Sequence, residues 1–245
     1  MTLPAIQNAG THRELWVEHL GLLPYAQALS IQRSLAAARV SGALSQDVLL
    51  LVEHPPVVTL GRSAKEQHLL ASPELLRTRG VELFEVERGG DVTFHGPGQL
   101  VGYPIVDLKR HKRDLHWYLR QVEETLILAL ATFGIAAGRN PGFTGVWTAD
   151  AQRKIASIGV HARDWVTWHG FALNVTTELS YFDLIVPCGI QAVTMTSITR
   201  ELSGGAVSWE SVESAVARAF GAVFDLECIT APDVLRHLSG EQEGR

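Results

Sequence analysis

The run Asp47-Val48-Leu49-Leu50-Leu51-Val52-Glu53 constrains the fold of this chain more than any other stretch. It is apolar without a break between two acidic residues, and His54-Pro55-Pro56 closes it. Such a run is a strand buried on both faces, so each face of its sheet needs a covering layer. The covering elements are legible on either side. Pro24 opens a helical run, PYAQALSIQRSLAAARV, with apolar residues at helical spacing. Pro73–Thr78 reads as a short helix. Asp114 caps a long helix through about Ala131, and Ser208 caps another over Trp209–Phe220. Further strands are expected at Glu14 to about Leu20, at Val57–Leu60 as a resumption of the central run, and at Val81–Glu87. Others follow at Val92–Phe94 and Leu100–Val106, and three short ones between Thr144 and Val175. The expected fold is α/β (α+β): a single domain over 1–245 with a mixed β-sheet flanked by helices. Its core runs from about 14 to 226, and a frayed tail begins near 241.

Composition removes several classes of function. With 46% hydrophobic and 19% charged residues the chain can bury a substantial core. A net charge of −5 lacks the basic footprint of a nucleic-acid binder. Two cysteines, Cys188 and Cys228, do not make a disulfide scaffold, and free thiols suit a reducing compartment. The opening MTLPAIQNAGTHRELW has no basic segment leading into an apolar run, and no apolar stretch reaches the roughly 18–20 residues of a membrane span. A soluble, cytoplasmic protein with no membrane partner is expected. The ten histidines show no metal-ligand spacing, and neither Cys-x-x-Cys nor G-x-S-x-G occurs, so neither a metal nor a serine nucleophile is expected.

Three segments carry residues that suit chemistry. Arg88–Gln99 (RGGDVTFHGPGQ) holds four glycines that let backbone approach a ligand closely, with Arg88 available to an anion and His95 between two turns. A plain hairpin with a Gly-Pro-Gly turn explains the same residues. Lys154, in RKIASIGV, is either the solvent side of a half-buried strand or a desolvated lysine able to exchange protons. Cys188, in VPCGI, sits between Pro187 and Gly189 at a strand end, approachable from one side. Most cysteines are inert core residues, so the thiol reads either way. Cys228 reads as a packing residue, and Trp165, Trp168 and Phe171 as core or pocket wall. The run Lys109, Arg110, Lys112, Arg113 is a solvated loop or a landing point for an acidic partner.

In family order, the blocks VEHPPVVTLGR, RGGDVTFHGPGQLVGYPIVDL, RKIASIGVHAR, HGFALNV and VPCGI resemble the octanoyltransferases of lipoate biosynthesis, over roughly Glu14 to Phe220. The resemblance implies a fold shared with biotin and lipoate protein ligases. It implies transfer of an octanoyl group from acyl carrier protein through a cysteine thioester to a lysine of lipoyl domains, those of 2-oxoacid dehydrogenase E2 subunits and of the glycine cleavage H protein. No cofactor, metal or nucleic acid is expected to take part. Carried over by motif, the catalytic residues are Cys188 and Lys154. The acyl-binding segments are Arg88, Gly89, Gly90, Asp91, Val92, Thr93, Phe94 and His95; Ser157, Ile158 and Gly159; and Gly170, Phe171 and Ala172, with Tyr103 near the pocket. A close Cys–Lys pair titrates jointly. Backbone N–H groups at Cys188–Gly189 or Ser157–Gly159 would serve the oxyanion. An octanoyl chain buried at about 0.8 kcal/mol per CH₂ contributes on the order of 5 kcal/mol of recognition. An ATP-dependent lipoate or biotin ligase, a thioesterase and a non-catalytic member of the fold are the alternatives; the first needs an adenylate loop of the Gly-Arg-Gly-Arg type, which is absent here.

Overall fold

The central strand is buried as its composition dictates, and its two faces feed two different cores. In the computed structural model Leu49 and Leu51 point into one cluster, and Val48, Leu50 and Val52 into the other. Each such side chain contributes about 1.5–3 kcal/mol when fully buried. The structure describes residues 14–148, 151–190, 193–232 and 235. The tail expected to fray from about 241 lies outside them.

In chain order the elements are β1 (Glu14–Leu22), α1 (Tyr25–Ser41), β2 (Asp47–Glu53), β3 (Val57–Leu60), α2 (Pro73–Thr78), β4 (Glu82–Glu85), β5 (Val92–His95) and β6 (Gln99–Ile105). They continue with α3 (Leu115–Ala131), β7 (Ala137–Asn140), β8 (Phe143–Thr148), β9 (Arg153–Arg163) and β10 (Val166–Asn174). Last come β11 (Thr194–Met195), α4 (Ile198–Glu201), α5 (Trp209–Phe224) and β12 (Glu227–Thr230). A large mixed sheet runs β12-β1-β2-β6-β10-β9-β8-β7, with β11 added beside β9. Helices α3 and α5 cover the face that receives Leu49 and Leu51, and α1 covers the other. The caps are those expected: Asp114 accepts the Trp117 N–H at 3.0 Å, and Ser208 accepts the Ser211 N–H at 3.2 Å. None of the helices among the described residues is long and apolar enough to cross a membrane.

Two sequence expectations change. Val57–Leu60 does not resume the central strand, because His54-Pro55-Pro56 redirects the chain into a second, three-stranded sheet of order β4-β3-β5. Nor do β5 and β6 form a hairpin. β5 pairs with β3 in the small sheet and β6 with β2 and β10 in the large one, so Gly96-Pro97-Gly98 is a crossing between sheets. That crossing opens the space in which the site lies.

A fully buried carboxylate supports the large sheet near that space. Glu123 on α3 accepts from Arg120 at 2.6 Å, from Arg139 at 3.0 Å and from the Gly145 N–H at 3.1 Å. Arg120 and Arg139 keep solvent access, so Glu123→Ala strands chiefly the buried Gly145 N–H and is expected to cost about 1–3 kcal/mol. Urea denaturation checks this, with a lowered midpoint at unchanged slope as the expected result.

Candidate active site

A cavity of about 320 Å³ lies where the two sheets diverge, a size suited to a small acyl group. The small sheet contributes Thr93 and His95, and the large sheet contributes Val101 and Tyr103 from β6, Ser157, Ile158 and Gly159 from β9, and Gly170, Phe171 and Ala172 from β10. Arg88, Gly90 and Asp91 close one side, and Lys154 and Cys188 also face in. The topology therefore gathers most of the residues singled out in the sequence. Three do not reach the cavity. Because β5 alternates, Val92 and Phe94 point into the small-sheet core, where Phe94 stacks on Tyr181 at 4.7 Å between centroids. Gly89 turns its N–H to the Val160 carbonyl, 2.8 Å away.

At one end of the cavity Lys154 Nζ donates to Cys188 Sγ across 3.2 Å. Lys154 is 1% exposed, so the solvent-facing reading of its strand fails. Its stem crosses Gly145, and its ammonium lies 5.4 Å from the centroid of the Trp147 ring. Cys188 stands in the 3₁₀ turn Pro187–Gly189 with φ 55°, a left-handed conformation rare outside glycine and frequent at functional sites. Its Sγ is also 3.7 Å from the Ser157 hydroxyl. Burial pushes the Cys188 thiol up; the Lys154 ammonium, the Ser157 hydroxyl and the Arg88 guanidinium outweigh it and hold the thiol below its ordinary value. The Gly189 N–H is committed to the Val186 carbonyl at 2.9 Å, which removes it from the oxyanion donors anticipated above.

Arg88 is buried and does not present a free fork to an anion. Nε and Nη2 donate to Thr59, and Nη1 donates to the Gly89 carbonyl at 3.2 Å. His95 is braced by Gln99, whose Oε1 is 2.8 Å from Nδ1, and it stacks on Tyr25. Tyr103 shares its hydroxyl with His54 Nε2 at 2.8 Å. Tyr25, His169, Ile190 and Gly142–Thr144 also line the cavity and were not anticipated. Gly142–Thr144 carry no chemistry, so no local pattern marks them. His169 opens the HGFALNV block and was within reach. Its φ is 56°, and its Nε2 is buried with no hydrogen-bond partner among the described residues.

Burial keeps the histidines of this region neutral. It pushes His54 down to about 4, and His95 and His169 down to about 3. The unfolded chain binds protons at these positions near the ordinary value of about 6.5, so it holds more protons than the folded state below that pH. Their contribution to stability is complete above pH 6.5 and is lost as pH falls toward 4 and 3. The expected result is a urea midpoint that declines from pH 7 to pH 5, with imidazole ¹⁵N resonances of the three rings staying neutral across that range.

Elsewhere the expectations divide. Trp168 and Phe171 are buried, whereas Trp165 is exposed at the β9–β10 turn, a position that no packing period distinguishes. Cys228 packs its sulfur over Gly221 and toward the Ala217 carbonyl but stays exposed on the edge strand β12. The basic run is largely used internally. Lys109 pairs with Asp107 at 3.6 Å, Lys112 with Asp114 at 3.1 Å, and Arg110 bonds the Ser45 carbonyl. The described residues include no group of three or more His, Cys, Asp or Glu able to hold a metal ion.

Comparison with known proteins places the site in a family. The lipoyl protein ligase A/B catalytic domain matches residues 24–221. An octanoyltransferase of Acidobacterium capsulatum is 52% identical over 218 residues, 84% of this chain and 88% of that protein. One of Myxococcus xanthus is 50% identical over 91% of this chain, which spans 63% of the Myxococcus protein's length. Among solved structures, a lipoate-protein ligase A bound with ATP superposes with a TM-score of 0.73 at 16% identity, covering 94% of this chain and 93% of the other, a likeness of fold. A match across most of the length, with octanoyltransferases at half identity, decides the matter: the chain belongs to the lipoyl protein ligase A/B catalytic-domain family and, within it, to the acyltransferases known as octanoyltransferases.

Proposed function

We propose that this enzyme moves an octanoyl group from an acyl carrier protein thioester to Cys188, and from Cys188 to the ε-amine of a lysine on a lipoyl domain, in the cytoplasm. The observation that carries the reading is the 3.2 Å approach of Lys154 Nζ to Cys188 Sγ at the end of a cavity of acyl size.

The reaction starts from the thiolate–ammonium form of the pair. The Cys188 thiolate attacks the thioester carbonyl, the carbon–sulfur bond to the carrier breaks, and the carrier thiol leaves with a proton from Lys154. The acyl group stays activated because one thioester replaces another. Lys154 is now a neutral amine. The acceptor amine, having lost its own extra proton to solvent, attacks the Cys188 thioester and passes a proton to Lys154. Cys188 departs as thiolate, and the amide product makes the step effectively irreversible. Both members of the pair return to their starting state without any further group. The neutral histidines below keep imidazolium charge out of the acyl cavity.

Initial-rate kinetics test the two-step scheme. Varying donor at several fixed acceptor concentrations is expected to give parallel double-reciprocal lines. Converging lines obtained with wild type would refute the free acyl-enzyme.

A further inference from the structure

Behind Cys188 stands a pair of side chains that the transfer chemistry leaves unused. His68 ends the 3₁₀ turn Glu66–His68, and its Nδ1 is 2.6 Å from Asp91 Oδ2, with 11% and 10% of the two side chains exposed. A Cβ on Gly189 would come within 2.7 Å of Asp91 Oδ2 and 3.0 Å of His68 Cε1. The pair therefore packs directly against the backbone that follows the nucleophile. The main chain grips the same segment from the other direction. The Val186 N–H donates to the His68 carbonyl at 2.8 Å, and the Leu70 and Ala71 N–H groups both donate to Leu184 at 3.0 Å. Asp91 in turn belongs to the glycine loop, where its carbonyl accepts the Gly61 N–H at 3.2 Å. Through His68, three segments distant in sequence are joined: the strap 66–71, the glycine loop and the nucleophile turn.

The turn needs such a clamp. Cys188 and Gly189 are both left-handed, at φ 55° and 66°, and a residue with a Cβ holds that conformation only where its surroundings enforce it. Relaxation of φ at Cys188 swings Sγ away from Lys154. We propose that His68 is a positioning residue for the nucleophile, its hydrogen bond to Asp91 holding the Cys188–Gly189 turn so that Sγ stays against Lys154 Nζ. It stands outside the acyl cavity and acts on the reaction through the turn. The role rests on Cys188 carrying the acyl group as described above.

The test uses the full chain with His68→Ala, His68→Asn and Asp91→Ala. Three quantities are read: the rate of octanoyl loading from octanoyl-acyl carrier protein, KM for that donor, and the pH profile of iodoacetamide alkylation at Cys188. The groups facing the sulfur are Lys154, Ser157 and Arg88, so a displaced thiol loses all three. His68→Ala is expected to slow loading about 10- to 100-fold with KM within about twofold, and to move the alkylation midpoint upward toward the free-thiol value of about 8.5. His68→Asn, which keeps an N–H donor where Nδ1 stands, is expected to restore most of both. A wild-type alkylation profile in His68→Ala overturns the proposal, as does an Asn variant as impaired as the Ala variant. Should His68→Ala fail to fold, Asp91→Ala is expected to give the same upward shift, and an unshifted profile there overturns it. Wild type that never loads octanoyl at Cys188 refutes the transfer reading instead, and the alkylation profile still decides the clamp.

Discussion

Lys154→Met is expected to lower octanoyl transfer by about 10³-fold or more while leaving the fold intact. The substitution fills the same buried volume without a charge, and the Cys188 sulfur left behind takes up a proton, so no unpaired buried charge remains to unfold the chain. The chemistry loses on both half-reactions. Without the Lys154 ammonium, burial is opposed only by the Ser157 hydroxyl and the Arg88 guanidinium, so the Cys188 thiol rises and less thiolate exists at neutral pH. The acceptor amine also loses the group that takes its proton, a role worth about 10²–10⁴-fold by itself. Single-turnover transfer and a thermal melt together make the check. A variant that melts like wild type and turns over within tenfold of it would show Lys154 to be structural only.

Gly145→Ala carries the second large effect, and it acts by crowding Lys154. Gly145 lies on β8 at φ 129°, a conformation that side chains rarely adopt. A Cβ there would meet the Ala156 carbonyl oxygen and Lys154 Cε, each at 2.7 Å. The backbone cannot retreat easily, because the buried Glu123 holds the Gly145 N–H from behind. Lys154 must therefore shift, and a displacement of about 1 Å at a reacting group can cost on the order of 10²-fold. The expected result is transfer reduced at least tenfold with stability lowered by about 1–3 kcal/mol. Restoration of the rate by added acceptor would contradict this account, since a displaced Lys154 slows loading as well as transfer to the acceptor.

How much of this was legible in the sequence depends on which physical rule speaks. Strand β2 and helices α3 and α5 announced themselves through a continuous apolar run, helical spacing and capping residues, all local signals. The pairing of β5 with β3 and of β6 with β2 is a long-range choice, and Gly96-Pro97-Gly98 reads locally as a hairpin turn although it joins two sheets. The edge strands β7, β11 and β12 are short and half-exposed, so neither alternation nor apolar content distinguishes them. At the site, Cys188 and Lys154 were singled out by unusual local context, a thiol between proline and glycine and a lysine in an apolar strand. Their juxtaposition depends on β9 and the segment after β10 meeting in space. Val92 and Phe94 were assigned to the acyl site because they share a motif with Thr93 and His95, and the two-residue period of a strand sends them to the opposite face. His68 has no motif around it at all, and only the packing against Gly189 reveals it.

The central claim is that the acyl group rests on Cys188 between donor and acceptor, and intact-mass spectrometry after incubation with octanoyl-acyl carrier protein tests it most directly. The account predicts that wild type gains the mass of one octanoyl group, that a lipoyl-domain acceptor removes it, and that Cys188→Ala gains none. Equal loading and transfer by Cys188→Ala would contradict it.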